Sequence, residues 1–280
     1  VGEAAAEYVE LVAQAGDWQA EFGRAFGQVV LECVMPIPGV LFDVGGPLDT
    51  EVMYERLVDE HIQEALAAEG ISVTQEQYAA AERWAIDSFA GNTYQAIVWH
   101  LARRDIDIAR RTYHAVNARA DERLIARGGL ELREGIADLL ADLVRQGLLL
   151  GLAANQPAAT IVQLQQFGLG QYFRHRELSG THGFRKPDVR LFLRALADLD
   201  IHPQECVMIG DRIDNDIMPA KLLRLRTIRF RVGRHRHQEP RTWEEIPDVE
   251  VTDITQLRAA ISALVDAAAD AQIEPEEEME

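Results

Sequence analysis

Basic side chains are scarce in this chain. Its 28 lysines and arginines face 46 aspartates and glutamates, a formal net charge of −18 over 280 residues. That balance excludes a general nucleic-acid binder, because phosphate backbones recruit basic surfaces, and it disfavours docking on anionic membranes. Long apolar runs are missing as well. The longest good candidate, Leu148 to Ala154, is strand-sized, far below the roughly 18–20 residues that span a bilayer. The opening stretch VGEAAAEYVE is acidic, with neither a positive segment nor an apolar one, so no secretory signal is expected in it. Only two cysteines occur, Cys33 and Cys206. This excludes a disulfide scaffold and suits a reducing cytoplasm, and Cys206, in an apolar run, is expected to be inert core.

Apolar residues make up 48% of the chain, ordinary for a globular protein with a sizeable core. The charge is unevenly placed. Residues 1–35 carry six acids against Arg24 alone, and residues 265–280 carry seven acids and no base, so twelve of the eighteen excess negative charges lie at the two ends. The pattern predicts helices over 3–15 and 18–32, then a short buried strand at Val40-Leu41-Phe42. Residues 51–127 read as helices throughout: an apolar stripe at Val58, Ile62, Ala65 and Leu66 closed by Gly70, a helix from an N-cap at Thr74 with Gln77 three residues on, and two more over about 93–103 and 106–127. Beyond Leu132, strands at 148–153, 206–209, 227–231 and 249–251 alternate with helices at about 134–146, 157–167, after Pro187, 216–223 and 254–268. Residues 172–178 read as extended or irregular. Alternation of this kind implies a parallel sheet covered on both faces, interrupted by a helical insert.

Ligands of such sheets bind beyond the carboxyl ends of the strands. Asp43 follows the first strand in FDVGGPLDT, Ala154-Asn155 follow the next, Lys186-Pro187 precede a helix, and Asp211 follows VMIG in GDRIDND. Carboxylates, a lysine and helix starts converging in this way suit a phosphate with a divalent cation: Asp43 and Asp211 as hard oxygen ligands for magnesium, Lys186 and main-chain N–H groups for the phosphate. A carboxylate at Asp43 can also attack phosphorus to form an acyl phosphate.

The segments FDVGGPL (42–48), LGLAANQ (150–156), RKPD (185–188) and VMIGDRIDND (207–216), in this order, resemble the haloacid dehalogenase (HAD) superfamily over about residues 38–268. The resemblance implies an α/β fold: a Rossmann-like parallel sheet core of HAD type at 36–50 and 132–268, with an inserted all-helical cap at 51–131. A helical N-terminal extension (1–35) would precede it and a disordered acidic tail (269–280) would follow. It further implies a cytoplasmic, magnesium-dependent hydrolase of a small phosphorylated metabolite, with Asp43 as nucleophile and Lys186 neutralising charge. Metal ligands would be Asp43, the Gly45 carbonyl, Asp211 and Asp216, and the phosphate would meet Gly45, Gly46, Ala154, Asn155 and Lys186. Three positions depart from the family pattern. Gly45 stands where its phosphatases carry a general-acid Asp, Ala154 where they carry a phosphate-binding Ser or Thr, and Pro47 where Thr is usual. Alternatives are therefore a binding or regulatory module with lost catalysis, other phosphate or diphosphate chemistry, or a dehalogenase-like hydrolase.

Asp214 and Asn215 read as helix-capping groups rather than ligands. The basic stretch 221–241, from Lys221 to Arg241 with His235 and His237, reads as a region that pairs with the chain's own acids, the alternative being a site for an anionic substrate tail or a partner's acidic surface. In the cap, Trp84 and Trp99 read as core, whereas Tyr54 and the turn at Gly91-Asn92 are expected to face the cleft. The apolar residues of the N-terminal helices would dock on the domain or on a second copy, the cap being the other candidate dimer surface.

Overall fold

Val40, Leu41 and Phe42 are apolar on both faces, as a strand covered from both sides must be, and all three are wholly buried. The computed structural model describes residues 37–270, of which Ile37–Leu264 form one compact unit. The helices expected over 3–15 and 18–32, Cys33, the acidic tail and any dimer contact of the N-terminal helices lie outside the described residues.

Six parallel strands form one sheet in the order β3-β2-β1-β4-β5-β6. They are β1 (Gly39–Phe42), β2 (Leu149–Leu152), β3 (Phe173–His175), β4 (Cys206–Gly210), β5 (Arg226–Phe230) and β6 (Val249–Val251). Strand β1 is central. Its Phe42 registers with Leu152 of β2 and with Ile209 of β4, so Asp43, Ala153 and Gly210 leave the sheet side by side. Within the segment at 172–178, expected to be extended or irregular, Phe173–His175 supplies edge strand β3.

Between β1 and β2 run α1 (Val52–Ala68), α2 (Gln75–Asp87), α3 (Thr93–Leu101), α4 (Ile106–Ala118), α5 (Ala120–Arg127) and α6 (Ile136–Arg145). Helices α7 (Ala159–Gln166), α8 (Ser179–His182), α9 (Val189–Leu199), α10 (Met218–Leu222) and α11 (Ile254–Asp270) follow. On one sheet face Leu191, Phe192, Ala195, Leu196 and Leu199 of α9 pack with Leu41, Cys206 and Met208, each fully buried Leu or Phe contributing about 1.5–3 kcal/mol. Burial also pushes the Cys206 thiol well up, as expected for an inert core cysteine. Helices α1 to α4 have their own core, with Val58, Ile62 and Leu66 against Tyr78, Ala85, Ile97 and Val98. The Thr74–Gln77 capping box is present.

The helix expected after Pro187 is α9, with Asp188 at the N-cap and its carboxylate accepting from Arg190 N–H. Three local expectations are corrected. The single helix expected over 106–127 breaks at Arg119, where the Val116 carbonyl accepts both the Arg119 N–H and, at 2.7 Å, Nη1 of the buried Arg123. The helix expected from 216 begins as a wide turn at Ile213–Ile217, because the Asp216 carboxylate turns back to accept the Arg212 N–H. Trp84 is not cap core. It is 37% exposed and lies against the His100 ring, whereas Trp99 does pack on the cap core.

The basic stretch joins the two layers. Arg234, its side chain nearly buried, reaches Glu55 and Asp59 of α1 and Glu82 of α2 at 3.5, 2.9 and 2.6 Å. Beside it Gln238 donates to the Ile86 carbonyl and His235 lies 3.4 Å from the Thr93 hydroxyl. Arg229, Arg231 and Arg241 pair with Glu250, Glu239 and Glu245. Pairing with the chain's own acids thus holds for these four arginines, and for Arg234 it bridges sheet domain and cap.

Candidate active site

A cleft of about 720 Å³ opens where β1, β2 and β4 end under the helical layer, large enough for a metabolite. A second cavity, of about 630 Å³, lies within the cap between Trp84, Ile106 and Tyr113. Among the described residues no carboxylate lines it, so the sheet-end cleft is the candidate site.

Four charged residues meet at its floor, two of them, Asp43 and Asp211, directly after strands. Asp43 is 9% exposed, and its Oδ1 accepts from Val44 N–H (2.8 Å) and lies 2.9 Å from Lys186 Nζ. Lys186 Nζ also donates to Asp216 Oδ1 at 2.5 Å, and Asp216 Oδ2 accepts from Arg212 N–H at 2.9 Å. Carboxylate oxygens of Asp43, Asp211 and Asp216 lie within 4.8 Å of one another. Two glycines make this possible. A Cβ on Gly210 would sit 2.3 Å from Asp216 Cγ, and one on Gly46, whose φ is +80°, would sit 2.9 Å from Asp211 Cβ.

Charge here is only partly balanced. Burial pushes the Asp211 carboxyl well above its ordinary value, with Asp216 and Asp43 adding to it and Arg212 opposing. Burial also raises Asp216, against the pull of Lys186. Lys186 is pulled down by burial, but Asp216 and Asp43 outweigh this and hold it above the lysine range. Three clustered carboxylates facing one ammonium leave negative charge that a divalent cation would balance, and carboxylate oxygens are the hard donors that magnesium takes.

Gly45 and Asn155 line the cleft with Asp43 and Lys186, whereas Gly46 and Ala154 lie beneath it, wholly or nearly buried. Asn155 does not aim its amide at a ligand. Its Oδ1 accepts from Lys186 N–H (2.8 Å) and its Nδ2 donates to the Lys186 carbonyl (3.0 Å), which holds the lysine loop in register. Asp214 pairs with Arg212 rather than capping a helix, and Arg212 in turn reaches the Ala90 carbonyl of the cap. Tyr54, Gly91 and Asn92 face the cleft as expected.

Glu51 is among the cleft residues that sequence reasoning missed. Glu51 precedes α1 with its backbone in the left-handed region (φ 55°, ψ 11°), which costs roughly 1–2 kcal/mol for a residue with a Cβ. That turn brings its carboxyl back over Gly45. Gln156 Nε2 donates to Glu51 Oε1 at 3.2 Å. Burial first, then Asp49, Asp43 and Glu55, push the Glu51 carboxyl up to about 8, with Arg127 opposing. The available signal was an acid eight residues after Asp43 together with the acid missing at 45.

A family model described as haloacid dehalogenase-like hydrolase matches residues 37–223. Among curated proteins, the glyceraldehyde 3-phosphate phosphatase of Methanopyrus kandleri is 34% identical over 101 residues, 36% of this chain and 42% of that one. The phosphoserine phosphatase of Thermus thermophilus is 34% identical over 119 residues, 42% of this chain and 46% of that one. The chain therefore spans about half the length of the curated relatives it matches. Among solved structures, CbbY from Rhodobacter sphaeroides in complex with phosphate superposes with a TM-score of 0.53 at 25% identity, covering 79% of this chain and 96% of that one.

Proposed function

Because the chain belongs to the haloacid dehalogenase-like hydrolases, we propose that it hydrolyses a small phosphomonoester through an aspartyl phosphate at Asp43. The observation that carries this reading is the position of Asp43. It ends the central strand at the floor of the cleft, with Lys186 Nζ at 2.9 Å and the acids Asp211 and Asp216 beside it. The relatives named as phosphatases of glyceraldehyde 3-phosphate and phosphoserine support a small phosphorylated metabolite as substrate.

In this reading Lys186 orients the Asp43 carboxylate for in-line attack and offsets the charge of the incoming phosphate. Asp43, the Gly45 carbonyl, Asp211 and Asp216 would hold magnesium, which when bound polarises phosphoryl oxygens. Main-chain groups at 45–46 and 154–155 would cradle the phosphate, with Asn155 keeping the Lys186 loop in place. Residues 51–131 serve as the cap, closing the site from water and selecting the substrate through Tyr54 and the 91–92 turn. Retention of the three-acid cluster favours this chemistry over dehalogenation or lost catalysis, neither of which calls for a metal site.

A phosphate-release screen over phosphorylated metabolites, with and without magnesium, tests the proposal. Magnesium-dependent release that vanishes in Asp43→Asn is expected. Release that survives Asp43→Asn unchanged would sink the aspartyl-phosphate route.

A further inference from the structure

We propose that Glu51 is the proton-transfer group of this site, doing from the start of the cap what a side chain at position 45 would otherwise do. The inference rests on the phosphomonoester reading above. Its ground is a coincidence of volumes. A Cβ added to Gly45 would lie 2.5 Å from Glu51 Oε2, 2.9 Å from Cδ and 3.1 Å from Oε1. The Glu51 carboxyl thus fills the space that the first atoms of a side chain at 45 would enter, two residues from the nucleophile and on the wall of the same cleft.

The carboxyl is held there from three sides. The left-handed backbone at Glu51 aims it back toward Gly45. The Glu51 N–H donates to Asp49 Oδ1 at 3.1 Å, and Asp49 is itself anchored by the Glu131 N–H and by Arg127. Gln156, from the loop after β2, donates to Oε1, while Oε2 is the atom nearest Gly45. Of the other acids on this wall, Glu55 faces Arg234, and Asp121 stands in the first turn of α5, on a different element from the Gly45 turn.

The step balances as follows. An Asp43 oxygen forms a bond to phosphorus while the bond from phosphorus to the bridging oxygen breaks. That oxygen keeps the bonding pair, takes the proton of the Glu51 carboxyl and leaves as an alcohol. Glu51, now a carboxylate, accepts a proton from the water that attacks the acyl phosphate. This frees phosphate and Asp43 and returns Glu51 to its starting form. General acid–base groups typically contribute about 10²–10⁴-fold, and the contribution is largest when the leaving oxygen is a poor one.

The test is a leaving-group series on the full-length protein with magnesium, running from p-nitrophenyl phosphate through less acidic phenols to glycerol phosphate. Glu51→Gln keeps the shape and removes the proton. It is expected to cost about 10²-fold or more on glycerol phosphate and under about 10-fold on p-nitrophenyl phosphate. As a check independent of folding, Gly45→Asp in a Glu51→Gly background, where the space is free, is expected to restore much of the loss on the poor leaving group. A loss equal across the series, or none, overturns the role of Glu51 while leaving the phosphatase reading intact. Failure of the wild-type protein to release phosphate from any member overturns that reading and this inference together.

Discussion

Two clusters in this molecule share a stoichiometry, one cation among three acids, and differ in what surrounds them. At the sheet end Lys186 pairs with Asp43 and Asp216, with Asp211 beside them, all at most 9% exposed. In the clasp between the layers Arg234 faces Glu55, Asp59 and Glu82, whose side chains are 24–30% exposed. In the clasp burial raises Glu55 too, with Arg234 first among the groups opposing it, but partial exposure lets water solvate much of the excess charge, and the clasp can be a structural tie. At the sheet end little water is available: burial, with the neighbouring acids adding to it, raises the Asp211 and Asp216 carboxyls and makes a place for a cation. The lesson is that burial, more than the count of charges, separates a reactive cluster from a fastening.

Substitutions at the two clusters sharpen that contrast. Asp43→Asn at the sheet end is expected to reduce phosphate release by about 10³-fold or more with little change in melting temperature. A large melting change would make Asp43 a structural acid. Lys186→Met leaves Asp43 and Asp216 buried without their partner, a loss of about 3–5 kcal/mol in denaturant unfolding. Added magnesium should recover part of it, and no recovery would separate the acids from a metal role. Arg234→Met in the clasp is expected to cost only about 1–3 kcal/mol, because its acids keep some water. Its kinetic effect should fall on KM more than on kcat, since it loosens the cap rather than the chemistry. Thr74→Ala, remote from both clusters, removes a capping box for about 0.5–2 kcal/mol and should leave turnover unchanged in the same assay.

Legibility in the sequence followed the same divide. Asp43, Asp211, Asp216 and Lys186 stand at the ends of short apolar runs or just before a helix, and a parallel sheet gathers such positions at one edge whatever the rest of the chain does. The break at Arg119 was hidden because α4 and α5 continue one helical pattern, and only the burial of Arg123 against the Val116 carbonyl marks it. Strand β3 is legible only as part of an extended or irregular segment, because three residues give too little alternation. The residue type of Trp84 points inward, yet the His100 ring covers it only in part and 37% of it stays exposed. The arginines of 221–241 were legible as pairing residues, but not that Arg234 would cross to the cap.

What the sequence by itself determined was the parallel sheet, the helical insert and the four charged groups that follow strands or precede helices. Each is a local matter, set by the alternation of apolar runs with helices and by one residue's place after a strand or before a helix. Tertiary structure alone decided what stands in for the acid missing at position 45 and what Asn155 holds. Glu51 reaches Gly45 only because the chain takes a left-handed turn before α1 and Gln156 meets it from another strand end. Asn155 locks the Lys186 loop, 31 positions away, only because β2 brings the two together. These placements depend on contacts between distant segments, and no periodicity or spacing along the chain records them.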